Sequence, residues 1–384
     1  MRGAEAVLAC LREQDVDTVF GYPGGMILPL YDALYGQTEI RQILVTHEQN
    51  AAHAADGYAR ATGRVGVCIA TSGPGATNLV TGIATAYMDS IPMVAITGQV
   101  DLEMLGRDAF QETDILDVTM PVTKHNYKVK NAADLVPTIR EAFDLARSGR
   151  PGPVLIDVPR NLFFEEVAYT AQKLVEHQPG KPDADFVICA AEAAAEIVNA
   201  ERPLVIVGGG VISAGASAET VAFIEKYQLP VVHTLMGMGA VPSTHPQMLG
   251  FIGMHGAKAA NYAVGAADLV IALGSRFADR LTGNLSKFTA NRRFIHIDID
   301  PAEIDKIVGS SIGLAGDMRV VLNLLMRKEP KRDHTAWWQQ IHTWQEEFED
   351  DYHVNSLTVP WALHQVTRMT AGKAYAYATD VGQH

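Results

Sequence analysis

A chain of 384 residues, 48% hydrophobic and 20% charged, has material for two or three domains with cores of their own. Its formal net charge of −13 leaves no basic footprint for nucleic acid, and no apolar run reaches the ~18 residues that a membrane span needs. Cys10, Cys68 and Cys189 are odd in number and widely spaced, which suits buried thiols in a reducing compartment. With no secretory signal at its start, a cytoplasmic protein is expected.

The first ~165 residues alternate strand and helix patterns. Ala6, Val7, Cys10 and Leu11 make one helix face, Thr18 to Phe20 a strand, Ile27 to Leu34 a helix, and Ile43 to Val45 a short strand. Val65 to Ala70, Pro92 to Thr97 and Pro153 to Val158 are nearly continuous in apolar residues. Such runs, interleaved with helices, predict a parallel sheet covered on both faces: an α/β, doubly wound architecture.

His47 to Gly63 follows the Ile43 to Val45 strand and places Glu48 at a strand-to-helix turn. Ala51, Ala54, Ala55 and Tyr58 recur at helical spacing and give a small apolar face that another backbone or a flat ligand can approach. Taken alone, Glu48 is a solvated first-turn carboxylate favoured by the helix dipole. Thr71-Ser72-Gly73-Pro74-Gly75-Ala76-Thr77-Asn78 joins a buried strand to a helix and reads as a phosphate loop without a Walker lysine. Gln111, after Phe110, is by itself an ordinary polar loop residue, and Lys124 and Arg160 are by themselves surface charges.

A polar stretch with two prolines, within residues 166–189, reads as a linker. A second α/β unit spans 190–328, with strands at Leu204 to Val207, Pro230 to Val232, Leu269 to Leu273 and Arg293 to Ile299. Gly208-Gly209-Gly210 after a strand invites a dinucleotide reading, but Ser213 occupies the third glycine position and no acidic residue stands at the expected spacing. Residues 329–358 form a helical connector whose Trp337, Trp338 and Trp344 are expected, with Trp361, to anchor it to a neighbouring domain. Residues 359–384 open a third unit, with a helix from Trp361 to Met369 and a strand from Ala374 to Thr379.

Gly21-Tyr22-Pro23-Gly24-Gly25, the Glu48 stretch and the Thr71–Asn78 loop together resemble the first domain of thiamine-diphosphate-dependent enzymes. Ala109-Phe110-Gln111-Glu112-Thr113 and Thr123-Lys124-His125-Asn126-Tyr127 narrow the resemblance to the catalytic (large) subunits of acetolactate synthases. Five motifs in order, over residues 3–384, carry it.

The resemblance implies three successive doubly wound parallel-sheet domains: a thiamine pyrimidine-binding domain (1–165), an FAD-binding middle domain (190–328) and the start of a diphosphate-binding domain (359–384). It implies that Glu48 hydrogen-bonds the aminopyrimidine nitrogen of the cofactor, and that Gln111 and Lys124 serve catalysis. Phe110 and Arg160 line the substrate channel, and Gly24, Gly25, Pro74, Asn78, Gln383 and His384 contact thiamine diphosphate. For FAD it implies Arg150 from the first domain with Gly208, Gly209, Thr234, Leu235, Met236, Gly253, Met254, His255, Gly274, Arg276, Asp279, Arg280, Asp298, Ile299 and Asp317. Two arginines after a glycine turn suit a pyrophosphate; Asp298 and Asp317 suit ribose or adenine, or are strand-end caps.

The implied reaction decarboxylates pyruvate on thiamine diphosphate and adds the hydroxyethyl carbanion to pyruvate or 2-oxobutyrate, opening branched-chain amino acid biosynthesis. FAD would be structural, the assembly a homodimer or homotetramer, and a small regulatory subunit a partner. The alternatives are a pyruvate oxidase or another 2-oxo acid decarboxylase of the superfamily, and a non-catalytic FAD-binding fragment. An NAD dehydrogenase would rest on Gly208 to Gly210 alone. The family's Mg²⁺-ligating segment has no counterpart before His384, so no metal ligand is assigned, and these 384 residues by themselves are expected to be a truncated, catalytically silent form. Ala278 stands where the family has Asp, and Asp101 where it has Pro or a small residue.

Overall fold

The computed structural model describes residues 1–174, 180–348, 357–375 and 377. They fall into two compact units, Met1–Gly180 and Lys181–His384. In the first, β1 (Thr18–Gly21), β2 (Arg41–Leu44), β3 (Gly66–Ala70), β4 (Met93–Gln99), β5 (His125–Lys128) and β6 (Pro153–Pro159) form one sheet in the order β2-β1-β3-β4-β6-β5. In the second, β7 (Pro203–Val207), β8 (Val231–His233), β9 (Met248–Phe251), β10 (Leu269–Leu273), β11 (Arg293–Asp298) and β12 (Ile312–Ala315) take the order β12-β11-β10-β7-β8-β9. Every strand pair is parallel, as the apolar runs require, and the α/β class is as expected.

Strand side chains alternate between two cores in each unit. Val67, Ile69, Val94, Ile96, Val154 and Ile156 enter one face of the first sheet, and Cys68, Ala70, Met93, Ala95 and Leu155 the other. In the second sheet Val205, Val207, Ile271 and Leu273 face one way, and Leu204, Ile206, Val270 and Ala272 the other. Burial of such runs at ~25 cal/mol per Å² is the main stabilising term. Cys10 and Cys68 are buried free thiols whose pKa burial pushes up to about 12, so both stay protonated.

Three strands absent from the sequence pattern, β5, β9 and β12, lie at sheet edges and are only partly buried. An edge strand lacks a second neighbour, so it carries no continuous apolar run to announce it. The second unit's first helix, Ala184–Asn199, begins inside the expected linker because Asp183 Oδ1 caps it, accepting from Phe186 N at 2.8 Å. Trp337 and Trp338, on helix Thr335–Phe348, donate to Pro203 O at 3.0 Å and Gln228 O at 2.9 Å. They pin the helix to the second unit's own core. Three of the six residues of the strand expected at Ala374 to Thr379 lie outside the described residues.

Candidate cofactor and active site

Glu48 is the first residue of helix Glu48–Thr62, after an extended His47 whose Nδ1 accepts from Gln49 N at 3.1 Å. The helix returns the chain from edge strand β2 to β3. Its buried face is Ala51, Ala52, Ala55, Asp56 and Ala59, one position round from the expected one, with Ala54 and Tyr58 half-buried. The shift follows from partners: a Cβ on Gly82 would stand 2.4 Å from Ala52 Cβ, so helix Val80–Asp89 packs closest along that line. Tyr58 instead turns its hydroxyl to Asp17, at 2.6 Å.

In the first sheet β2 lies on one side of β1 and β3 on the other. The loops after β1 and β3 therefore meet at a topological switch point, where open parallel sheets bind ligands. Met26 N donates to Thr71 Oγ1 at 3.2 Å, and a Cβ on Gly24 would stand 2.5 Å from Thr71 Cγ2. Glu48 joins them: its Oε2 accepts from Asn78 Nδ2 at 2.9 Å, and a Cβ on Gly75 would come within 3.3 Å of its Oε1. Pro74 begins the short helix that ends at Asn78. Gly73, at φ 58°, lies against the backbone of Gln111, where a Cβ would stand 2.6 Å from the carbonyl oxygen. Gln111 has φ 56°, and Phe110 beside it is 80% exposed. The buried hydroxyl of Ser72 has no partner among the described residues. Gly25 has open space where a side chain would be.

Arg160, directly after β6, shares this C-terminal edge and lies over the Phe164 ring at 5.5 Å. Lys124, expected to serve catalysis, lies apart from this cluster within the chain. Its backbone N–H donates to Pro153 O, at the start of β6 and so at the opposite sheet edge. Its Nζ donates to Leu145 O and Ser148 O at 2.5 and 2.7 Å, capping helix Leu135–Arg147, and burial lowers its pKa. Arg150, also before β6, donates from Nε to Ser90 Oγ at 2.8 Å. Gln383 and His384 lie outside the described residues.

The sequence reading passed over a buried polar group beside this edge. Asp157, fully buried on β6, accepts from Thr97 Oγ1 at 2.7 Å and Gln99 Nε2 at 3.0 Å. Burial outweighs those hydrogen bonds and raises its pKa to about 6. A charged residue within the apolar run Val154 to Val158 was the available signal.

In the second unit the switch point lies between β7 and β10. The segments expected to hold FAD follow strands of this one sheet: Gly208 and Gly209 after β7, Thr234, Leu235 and Met236 after β8, and Gly253, Met254 and His255 after β9. Gly274 and Arg276 follow β10, Asp298 and Ile299 close β11, and Asp317 follows β12. Because the strands are parallel, these segments share one edge. Leu235, Met254 and Ile299 are 65%, 62% and 42% exposed there, an apolar surface that the described residues of the unit leave uncovered. Arg276 is half-buried; Asp279 and Arg280 are exposed. Arg280 O accepts from Met254 N at 2.9 Å, tying two of the segments together.

Several of these residues also have plain structural tasks. A Cβ on Gly208 would stand 2.1 Å from Gly274 O, and one on Gly274 2.6 Å from Gly210 Cα. The glycines thus serve the crossing of two backbones, which removes the chief support for a dehydrogenase. Thr234 Oγ1 accepts from Gly237 N at 3.1 Å. Asp317 Oδ1 caps helix Met318–Leu325, accepting from Arg319 N and Val320 N, and Asp298 Oδ1 accepts from Asp300 N at 3.0 Å. His296 on β11, neutral because burial lowers its pKa, donates from Nε2 to Ser275 O at 3.0 Å and so steadies the turn before Arg276. Among the described residues no group of three or more His, Cys, Asp or Glu could hold a metal ion, and no helix is long and apolar enough to cross a membrane.

Residues 1–118 match the thiamine pyrophosphate enzyme N-terminal TPP binding domain, and residues 190–325 the thiamine pyrophosphate enzyme central domain. The chain is 49% identical over 350 residues to the probable acetolactate synthase large subunit of Methanocaldococcus jannaschii, covering 89% of this chain and 59% of the relative. It is 46% identical to the acetolactate synthase large subunit of Parasynechococcus marenigrum, over 100% of this chain and 64% of the relative. The corresponding subunit of Haemophilus influenzae is 44% identical, over 100% of this chain and 69% of the relative. The chain thus spans about three fifths to two thirds of the length of these relatives. With identity at this level along its whole length, and with the N-terminal and central domains of the family matched in order, the chain belongs to the acetolactate synthase large-subunit family of thiamine pyrophosphate enzymes.

Proposed function

We propose that the chain serves an acetolactate synthase: decarboxylation of pyruvate and transfer of the retained two-carbon unit to pyruvate or 2-oxobutyrate, in branched-chain amino acid biosynthesis. Residues 1–165 would hold the pyrimidine end of thiamine diphosphate and residues 190–328 a structural FAD. The observation that carries the reading is the Glu48–Asn78 pair, set beside Gly75 at the sheet's switch point. When bound, thiamine diphosphate supplies the nucleophilic carbon that no side chain here provides.

The residues present fit that cofactor. Glu48 keeps a carboxylate oxygen beside a glycine, and the Ser72 hydroxyl, without a partner among the described residues, lies in the same loop. A carboxylate so placed can hold the proton shared with a weakly basic ring nitrogen, and Asn78 orients it. Gly24, Gly25 and Pro74 shape the loops around it. Gln111 would donate its amide to a developing oxyanion without competing as a base, and Phe110 and Arg160 would meet an anionic 2-oxo acid. Mg²⁺ and the diphosphate are assigned no residue among the described ones.

For FAD, the exposed apolar side chains Leu235, Met254 and Ile299 fit a flat ring system, while Arg276 and Arg280 would face its pyrophosphate. Asp279, His255 and Met236 stand on the same edge. The relatives are designated large subunits, and a smaller companion subunit is accordingly proposed as a partner.

The test is Glu48→Gln in the holoenzyme. Deuterium exchange at C2 of thiamine diphosphate should slow by roughly 10²–10⁴-fold, the range of a general acid–base contribution. An unchanged rate would return Glu48 to the role of a helix-end carboxylate.

A further inference from the structure

The buried chain from Asp157 to Thr113 has no part in the reading above. Asp157 sits between Ile156 and Val158, and a carboxylate there is costly unless satisfied. Gln99, 1% exposed at the end of β4, satisfies one of its oxygens. The same Nε2 donates its second hydrogen to Thr113 O at 3.0 Å, and Oε1 accepts from Val100 N at 2.9 Å. Both partners of Nε2 are pure acceptors, so the amide has one workable orientation; turned over, Oε1 would face a carboxylate and a carbonyl.

Thr113 lies two positions beyond Gln111. Between them, Glu112 closes the loop on itself, its carboxylate accepting from Gly106 N at 2.5 Å and Ala109 N at 2.9 Å. The other side of Gln111 rests on Gly73. A left-handed Gln111 is costly for an L residue and persists only where its surroundings impose it. We propose that Asp157 and Gln99 are positioning residues, the carboxylate holding the Gln99 amide and the amide holding Thr113, so that the Gln111 loop is set against Gly73. The catalytic consequence rests on the proposed role of Gln111; the mechanical one does not.

Amide hydrogen exchange of residues 106–113 tests the mechanical part on this chain without ligand. Gln99→Met, similar in length and lacking the amide, should speed exchange there about tenfold, because Thr113 O loses its donor and Asp157 one of its hydrogen bonds. Asp157→Asn with Gln99→Glu restores a carboxylate–amide pair in the core, with the roles reversed, but leaves Thr113 O without a donor. Its thermal stability should exceed that of Gln99→Met while exchange of 106–113 stays fast. Exchange unchanged in Gln99→Met, or at the parental rate in the double variant, overturns the proposal.

In the holoenzyme, Gln99→Met should lower kcat about tenfold or more with little change in KM, since displacement of a catalytic group by ~1 Å can cost 10²-fold. Gln111→Ala with parental kcat and KM would overturn the role of Gln111 alone, leaving the exchange data to judge the brace.

Discussion

Glu48 Oε2 and Asn78 Nδ2, 2.9 Å apart and 30 positions apart in the chain, join the helix that follows β2 to the loop that follows β3. Asn78 is neutral, so it orients the carboxylate without fixing its charge. Asn78→Asp would place two carboxylates at this distance, and such a pair shares one proton. The acid limb of the pH–rate profile should move up by about one unit or more. A profile identical to the parent would mean that the two side chains do not face each other in the working enzyme.

Gly73 is expected to be intolerant for two separable reasons. Its φ of 58° costs an L residue about 1–2 kcal/mol, and its Cβ would stand 2.6 Å from the Gln111 carbonyl oxygen. Gly73→Ala should therefore lower stability by at least that amount and displace the Gln111 loop, seen as faster exchange of residues 106–113. Gly36→Ala, with open space around it, should stay within about 0.5 kcal/mol of the parent when both variants are unfolded in urea. Equal effects at the two positions would contradict the contact.

The buried strands and the loops that follow them were legible because their side chains speak for themselves: apolar runs such as Leu269 to Leu273, and glycine-rich turns at their ends. The edge strands β5, β9 and β12 were not, since half-exposed residues carry no such pattern. Lys124 shows a second limit. Its place in a motif suggested a catalytic role, and only the fold reveals that helix Leu135–Arg147 ends beside it with carbonyls to cap. Asp157 was visible as a charge inside a strand, but its link to Thr113 runs through Gln99 on another strand. Spacing along a chain does not encode that kind of adjacency.

Flavin retention separates ligand contacts from backbone packing in the second unit. Arg276→Ala should weaken FAD by about 1.5–3 kcal/mol, the worth of a hydrogen bond to a charged group, or roughly 10–150-fold in Kd. Gly208→Ala should lower the stability of the flavin-free protein as well, because its Cβ would meet Gly274 O at 2.1 Å. Equilibrium titration of FAD, alongside thermal unfolding without it, checks both. Parental affinity in Arg276→Ala would place the pyrophosphate elsewhere.

The pH dependence of stability offers a test of Asp157 that needs no ligand. Its folded pKa is about 6 against an ordinary value of 3.8. Between those values the folded protein keeps a proton that the unfolded chain has released, so stability falls as pH rises. The stabilising contribution is full below pH 3.8, is lost as pH rises through about 6, and changes no further above it. A shift of this size corresponds to about 3 kcal/mol. Lys128 on β5 pulls the pKa down and Asp114 pushes it up, and both remain in an Asp157→Asn variant. Glu13 and Glu112, whose pKa values are lowered by their hydrogen bonds, give slopes of the opposite sign that parent and variant share. The difference between the two proteins therefore isolates Asp157. Urea titrations at pH 4.5 and 7 should show the parent losing stability relative to Asp157→Asn as pH rises. A constant difference across that interval would mean that the carboxyl is ionised throughout, and that the Thr97 and Gln99 hydrogen bonds offset its burial.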